Sequence, residues 1–570
     1  MSLRSLLLLV LFTLGRTAAA QPEGATRDGG APDAAVAPSD AGASAVDTLA
    51  DVLQRQRQLE QVVQQQRVQI GRLQRAAGLP AADAPPPSLG SHATLAVPAS
   101  STRGDDPELL APLAGYSEKS FFLRDRHSWF VLIPKGRINI DWYNFLNRPA
   151  PPAGVVPNSP ADPRAALRDT VFIRRARLGM AGTFVKVIDF RIEAELATVP
   201  SSGQYSTAAI AEADINIVPW LQLQVGQFYP PFSLENMTTE NYTDFMEKAS
   251  PIRFAVPQTR DTGAMLHGVL PRHLGHYYVG IFNGEGQGFK NLDNQPAVLG
   301  RGFIAPISLV PNHARWMEEI WVGASFWWQR SDNVGGSSAP STTGATAGDV
   351  GGLSTESGFS IFSSNYNNGT DAGKNAIRSH LAPDGTTLKY AIELNVPVTE
   401  RFGLRGEFLH ESQQVRRYDD TTAARTAGPR GFLDGYGGYA EVYAWIGGPL
   451  EVDHPGLYTV PHWKGYSPPP LPRWALQLAL RYEHNELAII DLPPTATTHA
   501  AYDPAQGHYQ LDTLLAGTNF WVTRNARLMA NYGFNYVGGG DSHAASVLIE
   551  KNLFFHRYEH ELLFRLQINF

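Results

Sequence analysis

The sequence predicts an all-β chain: a sixteen-stranded antiparallel transmembrane β-barrel, preceded by a short α-helical coiled coil. Three observations carry that expectation. Sixteen segments between residues 129 and 570 alternate apolar and polar side chains with period two. No apolar run is long enough for a helix to cross a bilayer. The first twenty residues nevertheless read as an export signal, so the chain leaves the cytoplasm.

The segments follow in order. In 1–20, Arg4 is the basic start, 6–14 the apolar core and Ala18-Ala19-Ala20 the small-residue cleavage pattern. Residues 21–45 are Ala, Pro, Gly and Asp with little to bury, which predicts a disordered linker. Over 46–77 the apolar seam changes everything: Leu49, Gln56, Val63, Ile70 and Ala77 recur every seven residues, with Val52, Leu59, Gln66 and Leu73 three positions later. That is the a/d pattern of a coiled coil, with a lone amphipathic helix as the rival reading. Two seam glutamines weaken the core but restrict register, and the segment predicts self-association in the periplasm. Residues 78–115, with Pro85-Pro86-Pro87, form a second linker, and 116–570 form the barrel.

Composition narrows the function classes. With no cysteine there is no disulfide framework, thiolate metal site or cysteine nucleophile. A pI of about 6.2 leaves no basic footprint for nucleic acid. The mean hydropathy of −0.21 looks soluble, but a barrel whose strands face lipid on one side and water on the other averages to the same value.

The expected strands are 138–143, 172–182, 187–198, 210–218, 221–227, 265–270, 277–282 and 303–309, then 321–328, 388–396, 402–411, 436–446, 474–483, 509–520, 528–537 and 558–570. A segment at 358–366 reads as a further strand or as loop. The strand at 187–198 shows the pattern best: Ile188, Phe190, Ile192, Ala194 and Leu196 share one face, and Asp189, Arg191, Glu193 and Glu195 the other. A soluble sandwich would give one such strand, but roughly 28 residues per strand with its connection suits a membrane barrel. Short connections at 218–220 and 523–525 read as periplasmic turns; 331–352, 419–430 and 447–472 read as external loops. Trp327-Trp328, Trp445, Trp474 and Phe520-Trp521 suit interfacial girdles.

Several stretches carry a family resemblance. They are Gly136-Arg137-Ile138-Asn139-Ile140-Asp141-Trp142, Arg174-Arg175-Ala176-Arg177-Leu178-Gly179-Met180-Ala181-Gly182, Val225-Gly226-Gln227-Phe228-Tyr229-Pro230-Pro231-Phe232-Ser233-Leu234-Glu235, and Phe245-Met246-Glu247-Lys248. Thr518-Asn519-Phe520-Trp521-Val522-Thr523-Arg524-Asn525-Ala526-Arg527-Leu528-Met529 and the terminal Phe570 complete the set. In these the chain resembles the phosphate-selective porin family of Gram-negative outer membranes, which includes the phosphate and polyphosphate porins. The resemblance implies a homotrimer in outer-membrane lipid, a water-filled channel, and Phe570 as the signal read by the barrel-insertion machinery. It also implies a third loop folded into each pore, here 229–260, with Glu235, Glu240, Asp244, Glu247, Lys248, Arg253 and Arg260 at the constriction. The chain departs from the phosphate-selective members here: they line that loop with lysines, and this loop has one.

Strand parity nominates the channel lining as Arg137, Arg175, Arg177, Asp189, Arg191, Glu193, Glu195, Glu212, Asp214, Arg405, Glu407, Arg481 and Glu483. The signs interleave, which predicts ion pairing that supports the wall and weak ion selectivity. The sequence therefore points to passive diffusion of small anionic or neutral hydrophilic solutes, with phosphate or another oxyanion kept open. The alternative is an envelope tether, in which the coiled coil links the barrel to the periplasm or cell wall. No HExxH or GxSxG arrangement occurs, so no catalytic residue, metal or cofactor is expected. His484 beside Glu483 and His410 beside Glu411 read as strand-end residues.

Overall fold

The computed structural model describes residues 113–570, apart from 147–168, 198–209, 332–351, 452–461, 464–473, 493–507, 539–556 and stretches of five residues or fewer. The signal, both linkers up to residue 112 and the coiled coil lie outside the described residues.

Sixteen antiparallel strands close into one barrel. The first eight are β1 (Phe130–Phe145), β2 (Thr170–Phe184), β3 (Ile188–Glu195), β4 (Ile210–Val218), β5 (Leu221–Phe228), β6 (Asp261–Val269), β7 (Gly275–Phe282) and β8 (Ala297–Ile304). The others are β9 (Trp321–Ser331), β10 (Ala376–Pro397), β11 (Phe402–Asp420), β12 (Arg425–Gly447), β13 (Ala475–Ile490), β14 (His508–Thr523), β15 (Ala526–Gly538) and β16 (Tyr558–Asn569). Each pairs with its chain neighbour, and β16 closes on β1 with Arg565 opposite Asp141 and Gln567 opposite Asn139. Closure leaves no open edge in the bilayer, which is what a backbone without water requires.

Alternation sorts the two faces. Along β1, Ile138, Ile140 and Trp142 are exposed on the outside, whereas Arg137, Asn139 and Asp141 are buried inside. The same division holds along β13, with Leu478, Leu480 and Tyr482 outside and Gln477, Arg481 and Glu483 inside.

Phe570 and β1 lock the seam. Phe570 exchanges backbone hydrogen bonds with Gly136 at 2.8 and 3.1 Å. Its ring lies over that glycine, where a Cβ would sit 2.1 Å from the ring. A hairpin of Ala114–Ser117 and Ser120–Arg124 extends the sheet beside it, Leu123 pairing with Leu132.

Four expectations need correction. The strand expected at 303–309 is Ala297–Ile304, followed by a 3-10 turn at Pro306–Leu309. Pro306 has no N–H for a ladder, and outward Gly300 and Gly302 erase the alternation upstream. The 447–472 stretch joins β12 to β13 at the end of the barrel that carries the short turns 219–220, 398–401 and 524–525, so it is not an external loop. Most of 419–430 is strand, because β11 and β12 run to Asp420 and from Arg425. His410 and His484 accordingly lie inside strands, on the outer face. The 358–366 segment is split: Ser360–Phe362 pairs with Leu353–Ser354 in a separate hairpin, and Asn365–Thr370 is a short strand laid against the start of β10, Tyr366 opposite Ser379.

The wall is uneven. Strands β3 to β8 have 8 or 9 residues each, whereas β10 to β12 have 19 to 23.

Candidate functional site

Two stretches of chain fold into the barrel between strands. The larger is loop 229–260, which joins β5 to β6 and carries two short helices, α1 (Leu234–Met237) and α2 (Ser250–Ala255). Ser233 caps α1 with its hydroxyl accepting from the Asn236 amide at 3.3 Å. Glu407 on β11 accepts from the Leu234 and Glu235 amides at 2.8 and 2.7 Å, so a wall carboxylate meets the positive end of that turn. Glu483 on β13 does the same for α2, accepting from the Ser250 amide and hydroxyl at 2.8 and 2.7 Å. Phe232, Leu234, Phe245 and Ile252 are buried among inward aromatic and aliphatic side chains of the wall.

Every carboxylate of this loop meets an arginine of the wall. Glu240 lies between Arg137, Arg175 and Arg177, at 2.7, 3.0 and 3.0 Å. Glu247 is held by Arg174, Arg175 and Arg565 at 3.0, 3.4 and 2.8 Å. Asp244 pairs with Arg405 at 2.9 Å and accepts from the Gln477 amide at 2.7 Å. Glu235 pairs with Arg481 at 2.8 Å. Burial works to raise the Glu240 and Glu247 carboxyls, but three arginines around each outweigh it and hold both well below the usual carboxylate range.

The loop's cations have a different set of partners. Lys248 donates to the Asn236 carbonyl and side-chain oxygen at 2.8 and 3.0 Å. Arg253 donates to the Ser354 hydroxyl, the Thr355 carbonyl and the Ser354 carbonyl at 3.1, 2.7 and 2.9 Å. Arg260 donates to the Tyr229 hydroxyl and to Gln287 at 2.6 and 3.0 Å. Among the described residues, none of the three has a carboxylate partner.

The remaining charges nominated from parity pair along the wall. Arg177 meets Glu195 at 2.7 Å and Arg191 meets Glu212 at 2.8 Å, each directly across from its partner strand. Asp189 accepts from Thr183 and Asn216 at 2.6 and 2.7 Å, and Asp214 meets His267 at 3.0 Å. Glu193 is half-buried opposite Gly179 and Ile210.

Parity missed the bulge in β2. Asn139 pairs with Arg175 but Ile140 pairs with Ile173, which leaves Arg174 as the extra residue. A bulge re-aims side chains, so Arg174 and Arg175 both reach Glu247 although alternation would send Arg174 to lipid. Arg565 is legible by parity and is fully buried, with a bidentate pair to Asp141 at 2.7 and 2.7 Å and a further bond to the Met246 carbonyl.

The second stretch, 353–362, lies beside the first. Glu356 accepts from the Asn531 amide at 2.6 Å and from the Glu247 backbone amide at 3.2 Å. The sequence pattern marks only 358–366, as strand or loop, and does not place this stretch inside the barrel, because its position depends on tertiary contacts.

A closed barrel with an apolar exterior and a charged interior crossed by inward loops defines an outer-membrane channel protein of a Gram-negative bacterium. The chain belongs to the phosphate-selective porin O and P family, whose profile matches residues 163–459. That stretch, just over half the chain, includes Arg174–Gly182, Val225–Glu235 and Phe245–Lys248 of the motifs quoted above. No curated protein matches the chain in sequence. Among solved structures, the OmpT of Vibrio cholerae is 8% identical, with a TM-score of 0.39 over 79% of this chain and 100% of its own. The DcaP channel of Acinetobacter baumannii is 11% identical, with a TM-score of 0.42 over 77% and 97%. The anion-selective porin from Comamonas acidovorans is 10% identical, with a TM-score of 0.39 over 77% and 100%.

Proposed function

We propose that the chain is a passive channel whose constriction favours small oxyanions such as phosphate over cations. One observation carries the reading: loop 229–260 has its four carboxylates matched to arginines, while Lys248, Arg253 and Arg260 hold only neutral partners among the described residues. Neutralised carboxylates contribute little field, and cations bonded to carbonyls keep their charge for a passing anion. This sharpens the weak selectivity expected from interleaved signs. The lining would comprise these three residues with Arg137, Arg175, Arg177 and Arg405, whereas Arg481, fully buried between Glu235 and Glu483, and the acids named with them would serve chiefly to position the loop and wall.

The short wall supports a homotrimer. Eight residues at ~3.4 Å each, tilted ~40°, reach about 21 Å, short of the ~25 Å apolar band. Its outward side chains, including Ile217, Val225, Leu266, Val279 and Ile281, remain apolar and exposed, so a neighbouring copy suits that side better than full-thickness lipid.

Reversal potentials in planar bilayers under a salt gradient test the solute reading. The expected result is an anion preference that Lys248→Glu weakens or inverts, with phosphate lowering chloride current. Equal permeability of both ions in the unmodified channel would overturn it.

A further inference from the structure

The turn at 353–358 is anchored by a carboxyl group in a place that favours its neutral form. Leu353, Thr355 and Glu356 are buried, and the hairpin partner Phe362 packs on Tyr509 with ring centroids 5.0 Å apart. Glu356 spends one oxygen on the Asn531 and Glu247 amides. Its other oxygen has no protein donor, and neither do one oxygen each of Glu561, Glu559 and Asn531. The charged side chains acting on it are two acids, Glu561 on β16 and Glu483 on β13, and one cation, Arg481 on β13; Glu559 on β16 and Arg253 of α2 act in turn on Glu561. Arg481 is engaged by Glu235 and Glu483, at 2.8 and 2.7 Å. Arg253 is engaged by the turn's own carbonyls. Glu561 accepts from the Ser357 amide at 3.2 Å and from Thr355 at 3.4 Å, so it binds the same turn that its charge would repel.

We propose that this turn is a proton-held gate in the channel: neutral Glu356 keeps it docked against β15, β16 and loop 229–260, and loss of that proton releases it and widens the path. The chemistry is a balance of donors. A protonated Glu356 brings no charge among these acids and carries a hydrogen to donate, whereas the carboxylate adds one more acceptor and one more negative charge. Burial, and then the Glu561 carboxylate, push the Glu356 carboxyl up to about 8 in the docked state, against an ordinary value of 4.5. Below the ordinary value the group is neutral docked or free, and docking is at its strongest. Between the two values docking requires proton uptake and weakens by up to about tenfold per pH unit. Docking is thus lost as pH rises through the docked value.

The gate rests on the lumen being the conducting path. Single-channel conductance of the full chain in planar bilayers, from about pH 5.5 to about pH 9, reads it directly. The unmodified channel should step from a smaller to a larger conductance as pH rises. Glu356→Gln, neutral at every pH, should stay at the smaller one. A flat profile in the unmodified channel overturns the gate without any variant, and so does a step that survives Glu356→Gln. Because the chain has no cysteine, Ser357→Cys gives a second readout. The ratio of its reaction rate with a water-soluble thiol reagent to that of Ser357→Cys/Glu356→Gln cancels the thiol's own ionisation. That ratio should rise about tenfold or more across the same range, and a ratio fixed near unity overturns the gate. Reversal potentials on the same membranes separate the two proposals: an anion preference with a flat pH profile sinks the gate alone, and a pH step without anion preference sinks the solute reading alone.

Discussion

Loop 229–260 and the turn at 353–358 touch inside one barrel, yet opposite chemistry anchors them. The loop sends four carboxylates to six wall arginines and one more, Arg565, that also grips Asp141. The turn sends its one carboxylate to amides, among other carboxylates. A buried charge is tolerable only when paired and hydrogen-bonded, so the first arrangement holds Glu240 and Glu247 in the charged state and the second suits Glu356 to the neutral one. Within a few ångströms, the same residue type serves as a permanent tie and as a titratable one.

The largest effect should come from breaking the permanent tie. Glu247→Ala leaves Arg174 and Arg175 without that partner and Arg565 with Asp141 and the Met246 carbonyl. Removing one member of a buried ionic cluster costs on the order of 3–5 kcal/mol. Thermal unfolding in detergent should fall accordingly, and single-channel traces should become noisy as the loop moves. An unchanged midpoint would mean that the apolar packing of Phe232, Leu234 and Phe245 holds the loop by itself.

A smaller effect is expected where the two stretches meet. Arg253→Ala removes three hydrogen bonds to Ser354 and Thr355, and bonds to a charged donor contribute about 1.5–3 kcal/mol each at most. The expected outcome is freer access to residue 357 in the cysteine-labelling experiment at every pH, with the barrel's thermal midpoint nearly unchanged. Equal protection with and without Arg253 would show that Glu356 and Glu561 suffice to dock the turn.

The legible part of this site is the part that obeys period two. Arg137, Arg175, Arg177, Arg405 and Arg481 are found by parity because a strand between lipid and lumen must alternate. Arg174 is not, since a bulge adds one residue and shifts the face locally. Strand β8 was misplaced because Gly300 and Gly302 stand where outward apolar residues would mark it. The side of the β12–β13 connection follows from strand count: with sixteen strands and the last one ending beside the short turns, an even-numbered strand always returns to that end. Length and composition suggested the opposite side, and counting overrules them. The 353–362 turn had no such rule to betray it, because contacts between residues 200 apart, such as Ser357 with Glu561, leave no local period.

The smallest expected effect is a null one, and it sharpens the comparison most. Glu240 and Glu247 are held well below the ordinary carboxylate range by their arginines. A depressed value means that the stabilisation is present above the ordinary value and is lost only as pH falls through the depressed one. Hydrogen exchange, corrected for its intrinsic pH dependence, should therefore give loop amides bonded to the loop's own carbonyls, such as those of Thr238 and Tyr242, the same protection across the range in which the turn at 353–358 loosens. Their protection should fall only in stronger acid, the opposite direction from the turn. If both stretches lose protection together as pH rises, the arginine cluster does not insulate the loop, and the contrast between a permanent and a titratable anchor fails even though every distance in the two sites stays as it is.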